Sequence, residues 1–599
     1  MANPGSVSIG GASGYWGEAS HATAQLLTAD KLDFLVYDYL AEITMSIMAR
    51  ARAKNPKAGY AGDFVSGALA PNIEEIARRR VRVISNAGGV NPRFCGTAVR
   101  ALVAEKGLDL KVAVISGDDL MARTCDFCDV TEMFSGESFP DREKLLSANA
   151  YLGAFPIAKA LDKSADIVIT GRCVDSAITL GACIHSFGWK VDDFDLLSAG
   201  SLAGHLIECG PQATGGNFTD WRDAGEIAEI GYPVAKVSSD GNCIVTKPEG
   251  TGGLVSPLTV GEQMLYETSD PRAYLLPDVT CDFSEVTLEQ NGPDRVLVKG
   301  ARGRAPSLQY KVSATWMDGY RAGQTFLFNG FEAADKARLF AEAIFDRARK
   351  KLRDMNAGDF EETSIEVFGE DSSGYREVML KLAARHQDAR AIGLFLKEMT
   401  GIALATPAGM SAFTGGGRPR PSPVVRLFSF LTEKADIEVR LAFDDSNGEV
   451  VSLPAIKTGK SPVNLTNPQP DSFEAGSDLI KVSLIALAVA RSGDKGNKAN
   501  IGVMAREARF LPYIWEALSE EAVARHFANC LEGGDSQSDV ERFYLPGSHA
   551  INFLLNNALG GGGIASLRQD AQAKGYGQKM LSMPVAIPVQ WAQELDRVA

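Results

Sequence analysis

A pattern repeated five times within the first 190 residues constrains the fold more than any other feature of this sequence. Each repeat is a short apolar or β-branched run that ends in glycine, asparagine, aspartate or arginine and is followed by a helix-like segment. The runs are 7–9, 33–40, 81–89, 111–119 and 165–172. Apolar strands that alternate with helices predict an α/β fold, with a mainly parallel sheet covered by helices on both faces. Ligands bind at the carboxyl ends of such strands, so the same pattern predicts where a site lies.

The length of 599 residues exceeds one ordinary core and indicates several domains. We predict an α/β sheet domain over 1–230, a mixed α+β continuation of the same large domain over 231–465, and a small α+β domain over 478–599. A regular amphipathic pattern predicts a helix over 332–354. The segment 406–430 is interpreted as a linker or active-site flap, and 466–478 as a domain linker.

Composition narrows the class of partner. The net charge of -14 disfavours nucleic acid and anionic membranes, and there is no apolar run of the length that spans a bilayer. The amino terminus lacks the pattern of a secretory signal, and nine scattered cysteines favour reduced thiols in the cytoplasm. Cys125 and Cys128 form a CxxC pair without the second pair that a zinc site needs, so no metal is assigned. We expect a cytoplasmic homo-oligomer that binds a small molecule.

The first strand ends in "IGGASGYWGE", which contains Gly11, Ser13 and Gly14. This spacing does not match the G-x-G-x-x-G fingerprint of a dinucleotide site. We therefore predict substrate or anion binding here, with Tyr15 and Trp16 as a wall of the pocket. The alternatives are a tight strand-to-helix turn that needs glycine and aromatic rings that belong to the core.

The next two loops also combine polar side chains with glycine. "SNAGGVNP" supplies two amide side chains and two glycines whose backbone N–H groups can face a ligand, although for this loop alone an ordinary turn is the better explanation. The predicted binding residues of this loop are Asn86, Gly88, Gly89 and Asn91. "SGDD" ends in Asp118 and Asp119, either of which can act as a base with its pKa raised by the other; the alternative is helix capping.

Two further loops follow the fifth strand. Arg172 stands directly after it, where it can clamp a carboxylate or phosphate, or only tie the loop through Asp175. Glu208, in "HLIECGPQATGG", is the preferred general base, with a solvated glutamate as the alternative. The glycine turn beside it supplies the predicted binding residues Thr214, Gly215 and Gly216.

The segment "ARSGDKGNKANIG" in the small domain carries more hydrogen-bonding groups than a connection needs. Polar, glycine-rich loops on rigid strands often carry function. We predict Asp494 and Lys495 as catalytic residues, and Arg491 and Asn497 as substrate-binding residues.

Six motifs together resemble the acyclic terpene utilisation family. They are "IGGASGYWGE", "SNAGGVNP", "ITGRCVDSA", "ECGPQATGGNF", "ARSGDKGNKANIGV" and "ALGGGG". The resemblance implies a long domain over about 5–455 fused to a small ferredoxin-fold domain over about 480–585. It also implies a place in the breakdown of citronellol and geraniol through CoA thioesters. It supplies no catalytic residue.

The leading hypothesis is a catabolic enzyme that acts on a small carboxylate or acyl-CoA by hydration, dehydration or carbon–carbon bond cleavage. Asp118, Asp119 or Glu208 would move a proton, Arg172 would hold the anion, and glycine backbone would stabilise an enolate. The loop around Lys495 would close over its own site or a neighbour's. CoA is expected only as part of the substrate. The alternatives are a CoA- or nucleotide-dependent transferase or ligase, without a Walker lysine, and a non-catalytic scaffold subunit.

Overall fold

The computed structural model describes residues 5–595 except 19, 370–374, 413–418, 455–467, 471–477 and 535. Part of the predicted flap 406–430 and most of the predicted linker 466–478 therefore lie outside the described residues. The domain boundaries that we placed at 230 and between 465 and 478 stay predictions.

The strands, in chain order, are β1 (Ser6–Gly11), β2 (Phe34–Tyr37), β3 (Arg82–Ser85), β4 (Val112–Ser116), β5 (Leu145–Ala150), β6 (Ile167–Thr170), β7 (Val234–Ser238), β8 (Cys243–Thr246), β9 (Tyr274–Leu275), β10 (Thr280–Asp282), β11 (Thr287–Gln290), β12 (Val296–Lys299), β13 (Arg302–Arg304), β14 (Gln309–Phe331), β15 (Glu362–Phe368), β16 (Tyr375–His386), β17 (Met410–Ser411), β18 (Ser422–Glu433), β19 (Arg440–Ala442), β20 (Glu449–Val450), β21 (Leu479–Ser483), β22 (Ala488–Lys495), β23 (Lys498–Ala505), β24 (Val540–Leu545), β25 (Ala550–Leu555) and β26 (Pro584–Pro588).

The α-helices are α1 (Ala22–Leu26), α2 (Glu42–Lys54), α3 (Ile73–Arg79), α4 (Pro92–Glu105), α5 (Phe155–Asp162), α6 (Ala177–Phe187), α7 (Phe194–Ile207), α8 (Pro257–Leu265), α9 (Ala333–Asp354), α10 (Ala389–Gly401), α11 (Leu511–Ala517), α12 (Glu520–His526), α13 (Tyr576–Met580) and α14 (Val589–Leu595). Helix α9 confirms the amphipathic helix predicted over 332–354.

The largest sheet has a parallel centre in the order β1-β2-β3-β6-β4. These strands are short and almost wholly buried, as expected where helices cover both faces. Antiparallel strands extend the sheet at both edges, β7, β8, β12 and β11 on one side and β19 and β20 on the other, so the sheet as a whole is mixed. The predicted α/β class is confirmed. Because the central strands are parallel, the loops that follow them meet at one edge.

A second sheet is built on β14, which is 23 residues long. Its first half pairs with β5 and β18, and its second half pairs with β16 and β17. Helices α9 and α10 pack on the second half around buried aromatic side chains such as Phe328, Phe340 and Phe395. Strand β14 thus connects the edge of the parallel strands to the middle region of the chain.

The carboxyl-terminal unit contains a four-stranded antiparallel sheet in the order β22-β23-β25-β24. Its core is separate from the others and includes Phe510, Phe527 and Phe553. The unit docks on the end of α8, where glycine is required: a Cβ atom on Gly502 would lie 2.3 Å from Leu265 Cβ, and one on Gly493 would lie 2.6 Å from the Tyr266 ring. This close approach fixes the β22–β23 hairpin against the large domain.

Candidate functional site

Polar and charged side chains converge at the carboxyl ends of the parallel strands. They come from residues 38–208, from the middle region of the chain and from the carboxyl-terminal unit. We call this group the central cluster. It comprises Asp38, Glu42, Tyr151, Arg172, Asp175, His205, Glu208, Glu267, Lys311, Asp494 and Lys495, whose charges act on one another's pKa values.

Arg172 follows β6 and is 4% exposed. One terminal nitrogen donates to Asp175 Oδ1 at 2.8 Å and to the Leu40 carbonyl at 3.0 Å, and the guanidinium carbon lies 4.2 Å from the centre of the Tyr151 ring. Its Nε is buried without a partner. Burial alone would lower the pKa of Arg172, but the surrounding acidic groups raise it well above its ordinary value. The residue is therefore a permanent buried cation.

Glu42 begins α2 and accepts a hydrogen bond from the Tyr151 hydroxyl at 2.6 Å. Lys311 Nζ, on β14, lies 4.0 Å from the same carboxylate and 5.1 Å from the centre of the Tyr151 ring. Burial opposes the charge of Glu42, yet Lys311 and Arg172 lower its pKa to about 2. Glu42 is thus an ionised carboxylate at neutral pH.

Asp38 lies directly after β2 and is buried beneath Arg172. Burial, with the charges of Asp175 and Glu208 added, raises its pKa well above the ordinary value. Asn86, at the end of β3, donates to its Oδ1, and the Ser13 hydroxyl donates to its backbone carbonyl at 3.0 Å. Two residues of the predicted site, Ser13 and Asn86, therefore hold Asp38 in place.

His205 and Glu208 form a buried pair at the end of α7. The distance from His205 Nδ1 to Glu208 Oε1 is 2.9 Å, and His205 Nε2 faces the Met264 carbonyl at 3.3 Å. Burial raises the pKa of Glu208, and Glu208 in turn raises the pKa of His205 against the effect of burial. The pair can hold and release one proton. Burial also raises the pKa of the adjacent Cys209 well above its ordinary value, which disfavours a thiolate nucleophile.

The carboxyl-terminal unit contributes the tip of its β22–β23 hairpin to the cluster of the same chain. Lys495 Nζ lies 3.4 Å and Lys574 Nζ 3.7 Å from the Glu267 carboxylate, and Lys574 Nζ lies 3.9 Å from Asp494 Oδ1. Burial and the charge of Glu267 raise the pKa of Asp494 to about 7. Asp494 can therefore exchange a proton near neutral pH.

Arg491 and Asn497 support this hairpin. Arg491 donates to the Asn217 carbonyl at 3.1 Å and to the Gln212 side chain, and its guanidinium lies 4.8 Å from the centre of the Tyr266 ring. Asn497 accepts a hydrogen bond from the Gly561 N–H at 2.9 Å. Arg491 therefore holds the two domains together, and Asn497 shapes the adjacent glycine-rich turn.

Asp118 lies beside the cluster, behind the backbone of Arg172. Its Oδ2 accepts hydrogen bonds from Asn149 Nδ2 and from the Arg172 N–H, both at 2.8 Å, and burial raises its pKa to about 7. Asp119 points the other way: it pairs with Arg52 at 2.9 Å at the side of a cavity of about 300 Å³. The two predicted acids are thus placed in different environments.

The remaining predicted binding residues pack against backbone. A Cβ atom on Gly11 would lie 2.1 Å from the Ile207 carbonyl oxygen, and one on Gly14 would lie 2.7 Å from Cys209 Cα, so both glycines allow the first loop to pack on the end of α7. Tyr15 is 60% exposed, whereas Trp16 packs partly on the core.

Other glycine loops show the same pattern. A Cβ atom on Gly88 would lie 2.4 Å from the Thr170 carbonyl oxygen, and Gly89 has a φ of 54°. Asn91 donates to two backbone carbonyls, and Thr214 donates to the Pro211 carbonyl at 2.9 Å. The turn that follows Thr214 contains Gly215, at a φ of 105°, and Gly216. A binding role for these residues stays a prediction.

Sequence reasoning missed Glu42, Tyr151, Glu267 and Lys311. Tyr151 directly follows a strand, and Glu42 is the first residue of a helix. A closer reading of the ends of loops would find both signals. Lys311 lies inside a strand, and no local signal marks it.

A metal site and a membrane-spanning helix would each leave a recognisable feature in the described ranges. Within these ranges, no three His, Cys, Asp or Glu side chains are grouped as metal ligands. No helix within them is both long and apolar enough to cross a bilayer.

Two family models match the chain. The model described as acyclic terpene utilisation family protein AtuA matches residues 7–443, and the AtuA ferredoxin-like domain matches residues 482–586. These matches confirm the resemblance and the fusion of the two parts. No curated protein and no solved structure matches the chain.

Proposed function

Because this chain belongs to the acyclic terpene utilisation family, we propose that it is a catabolic enzyme that moves a proton on a small carboxylate or acyl-CoA intermediate of terpene breakdown. The family name supports a role in terpene catabolism, and the reaction is inferred from the site. The observation that carries the proposal is the central cluster, where carboxyl groups of raised pKa lie beside the buried Arg172 and the partly exposed Lys311 and Lys495.

Hydration, dehydration and carbon–carbon cleavage next to a carbonyl share two requirements. A group of suitable pKa must move a proton, and a fixed positive charge must stabilise the enolate that forms. The His205–Glu208 pair is assigned to the first requirement, because burial raises the pKa of Glu208 and Glu208 raises the pKa of His205. Arg172 and Lys495 satisfy the second, since both remain charged.

Asp494 and Asp118 are the other acids suited to this work, with pKa values of about 7. Asp494 lies on the hairpin that closes the cluster, so we assign it to the face of the substrate opposite Glu208. Asp118 bonds to the backbone of Arg172 and acts by positioning that residue.

The test follows the proton directly. The purified protein is incubated in D₂O with a panel of branched acids and acyl-CoA thioesters, and deuterium incorporation next to the carbonyl is measured by mass spectrometry. We expect incorporation with the wild type, a loss of at least about 100-fold in Glu208→Gln, and little change in Asp119→Asn. A deletion strain grown on an acyclic terpene alcohol should accumulate the matching CoA ester. Absence of both exchange and accumulation would rule out the proposal.

A further inference from the structure

Among the cations of the central cluster, Arg172, Lys311 and Lys495, the proposed chemistry leaves Lys311 without a role. Its backbone carbonyl accepts a hydrogen bond from the Tyr151 N–H at 2.9 Å, which fixes β14 beside the end of β5. Lys311 and Arg172 both contact the ring of Tyr151, at 5.1 and 4.2 Å from its centre. Two cations are thus held against one aromatic side chain.

The cations near Lys311 differ in how closely they are paired with carboxylates. Arg172 pairs with Asp175, and Lys311 faces Glu42. Lys495 and Lys574 share the single carboxylate of Glu267. Lys311 Nζ lies 4.0 Å from the Glu42 carboxylate, compared with 2.8 Å between Arg172 and Asp175, and the Lys311 side chain is 40% exposed, so Lys311 is paired less closely than Arg172.

Neighbouring charges also affect the pKa of Lys311. Burial lowers its pKa, and the charges of Lys495 and Arg172 lower it further, against the opposing effect of Glu42. Cations held close together in a partly buried site repel each other, and a bound anion removes that cost. Arg172 Nε, which is buried without a partner, offers a further donor.

We infer that Lys311, Arg172 and Lys495 together bind a carboxylate group of the substrate. The inference rests on the proposed function, because it concerns the same site. It adds a binding residue from the middle of the chain and narrows the substrate to molecules with a carboxylate near the reacting carbon. A free acid and a thioester with a second, free carboxylate share this chemistry.

Binding to the full-length protein tests the inference without turnover. Isothermal titration at fixed salt compares the binding of 3-methylbutanoate and glutarate with that of the neutral amide 3-methylbutanamide. A further titration with 3-methylglutaryl-CoA shows whether the bound carboxylate belongs to a free acid or to a thioester with a second, free carboxylate. We expect at least one carboxylate to bind and the amide to bind at least about tenfold more weakly. Lys311→Gln should weaken carboxylate binding at least about tenfold, whereas Lys311→Arg keeps the charge and should retain it. Lys299→Gln, which removes an exposed lysine paired with Glu289 in another sheet, is the control.

Every result of these titrations either supports or overturns the carboxylate site. Equal binding of acid and amide, no binding of any carboxylate, or unchanged binding in Lys311→Gln would overturn the inference. If Lys311→Gln does not fold, as judged by thermal unfolding, Lys495→Gln serves in its place. Carboxylate binding without proton exchange would count against the proposed function and leave the carboxylate site standing.

Discussion

Replacement of Asp118 by asparagine should change how the stability of the protein depends on pH. Asp118 is 2% exposed, and its ordinary pKa of 3.8 is raised to about 7 in the folded protein because it is buried. Asparagine has the same shape, does not titrate, and keeps an oxygen that can accept from Asn149 and from the Arg172 N–H.

The sign follows from the direction of the shift. The folded state binds the proton more tightly than the unfolded chain does, so stability falls as pH rises from about 3.8 to about 7 and then stays level. At about 1.4 kcal/mol per pKa step, the full loss is about 4 kcal/mol. Roughly half of it is complete by pH 5.5. Between pH 5.5 and pH 8.5, wild type should therefore lose about 2 kcal/mol relative to Asp118→Asn.

The assay is thermal or urea unfolding of both proteins at pH 5.5 and 8.5. The difference between variant and wild type isolates this carboxyl group from the other titrating residues. Asp119→Asn is the control, because it removes only a partly exposed ion pair, which contributes little. If the gap between Asp118→Asn and wild type is the same at both pH values, the burial argument is wrong.

Three further outcomes follow from the site. Gly502→Ala should lower the free energy of unfolding by about 1–3 kcal/mol and increase proteolysis between the domains, because the new methyl group meets Leu265. Gly393→Ala, where the new methyl group has open space, should do neither. Equal proteolysis of the two variants would contradict the docking argument. Asp494→Asn should remove a transition near pH 7 from the pH–rate profile. Circular dichroism should show that the fold is intact. A profile that keeps this transition would exclude Asp494 as its source. Glu208→Gln should lower the rate of proton exchange with substrate affinity nearly unchanged, as measured by exchange and titration in parallel; a loss of affinity alone would make Glu208 a binding residue.

Much of the first domain could be predicted from sequence because its signals are local. Each parallel strand is a continuous apolar run, and each is followed by glycine or a polar residue, so the loops 10–17, 86–91, 116–119 and 170–176 were found without a structure. Parallel pairing then brings their ends together. Arg172 was identified for this reason, whereas Glu208 was chosen as an acid beside a glycine turn and lies at the end of α7.

The rest depends on pairing between distant segments. β5 lies between two strands of the parallel sheet along the chain but pairs instead with β14, more than 160 residues later, and this pairing brings Lys311 to Tyr151. An alternating strand carries no mark of which side chain will face a charged site. The antiparallel extension of the main sheet was missed because β7 and β19 likewise pair with strands that are distant along the chain.

Strand β14 also determines how the site responds to local fluctuation. Around Lys311 the strand has hydrogen-bonded neighbours on both sides, β18 and β5, and beyond residue 320 it pairs with β16. A strand enclosed in this way cannot fray without breaking two ladders, so its amide hydrogens should exchange only in large-scale opening events. The hairpin that carries Asp494 and Lys495 reaches the same cluster from the edge of a separate sheet. One wall of the site is thus a strand whose amide hydrogens should exchange slowly, and we expect a ligand to enter by movement of the hairpin that faces it.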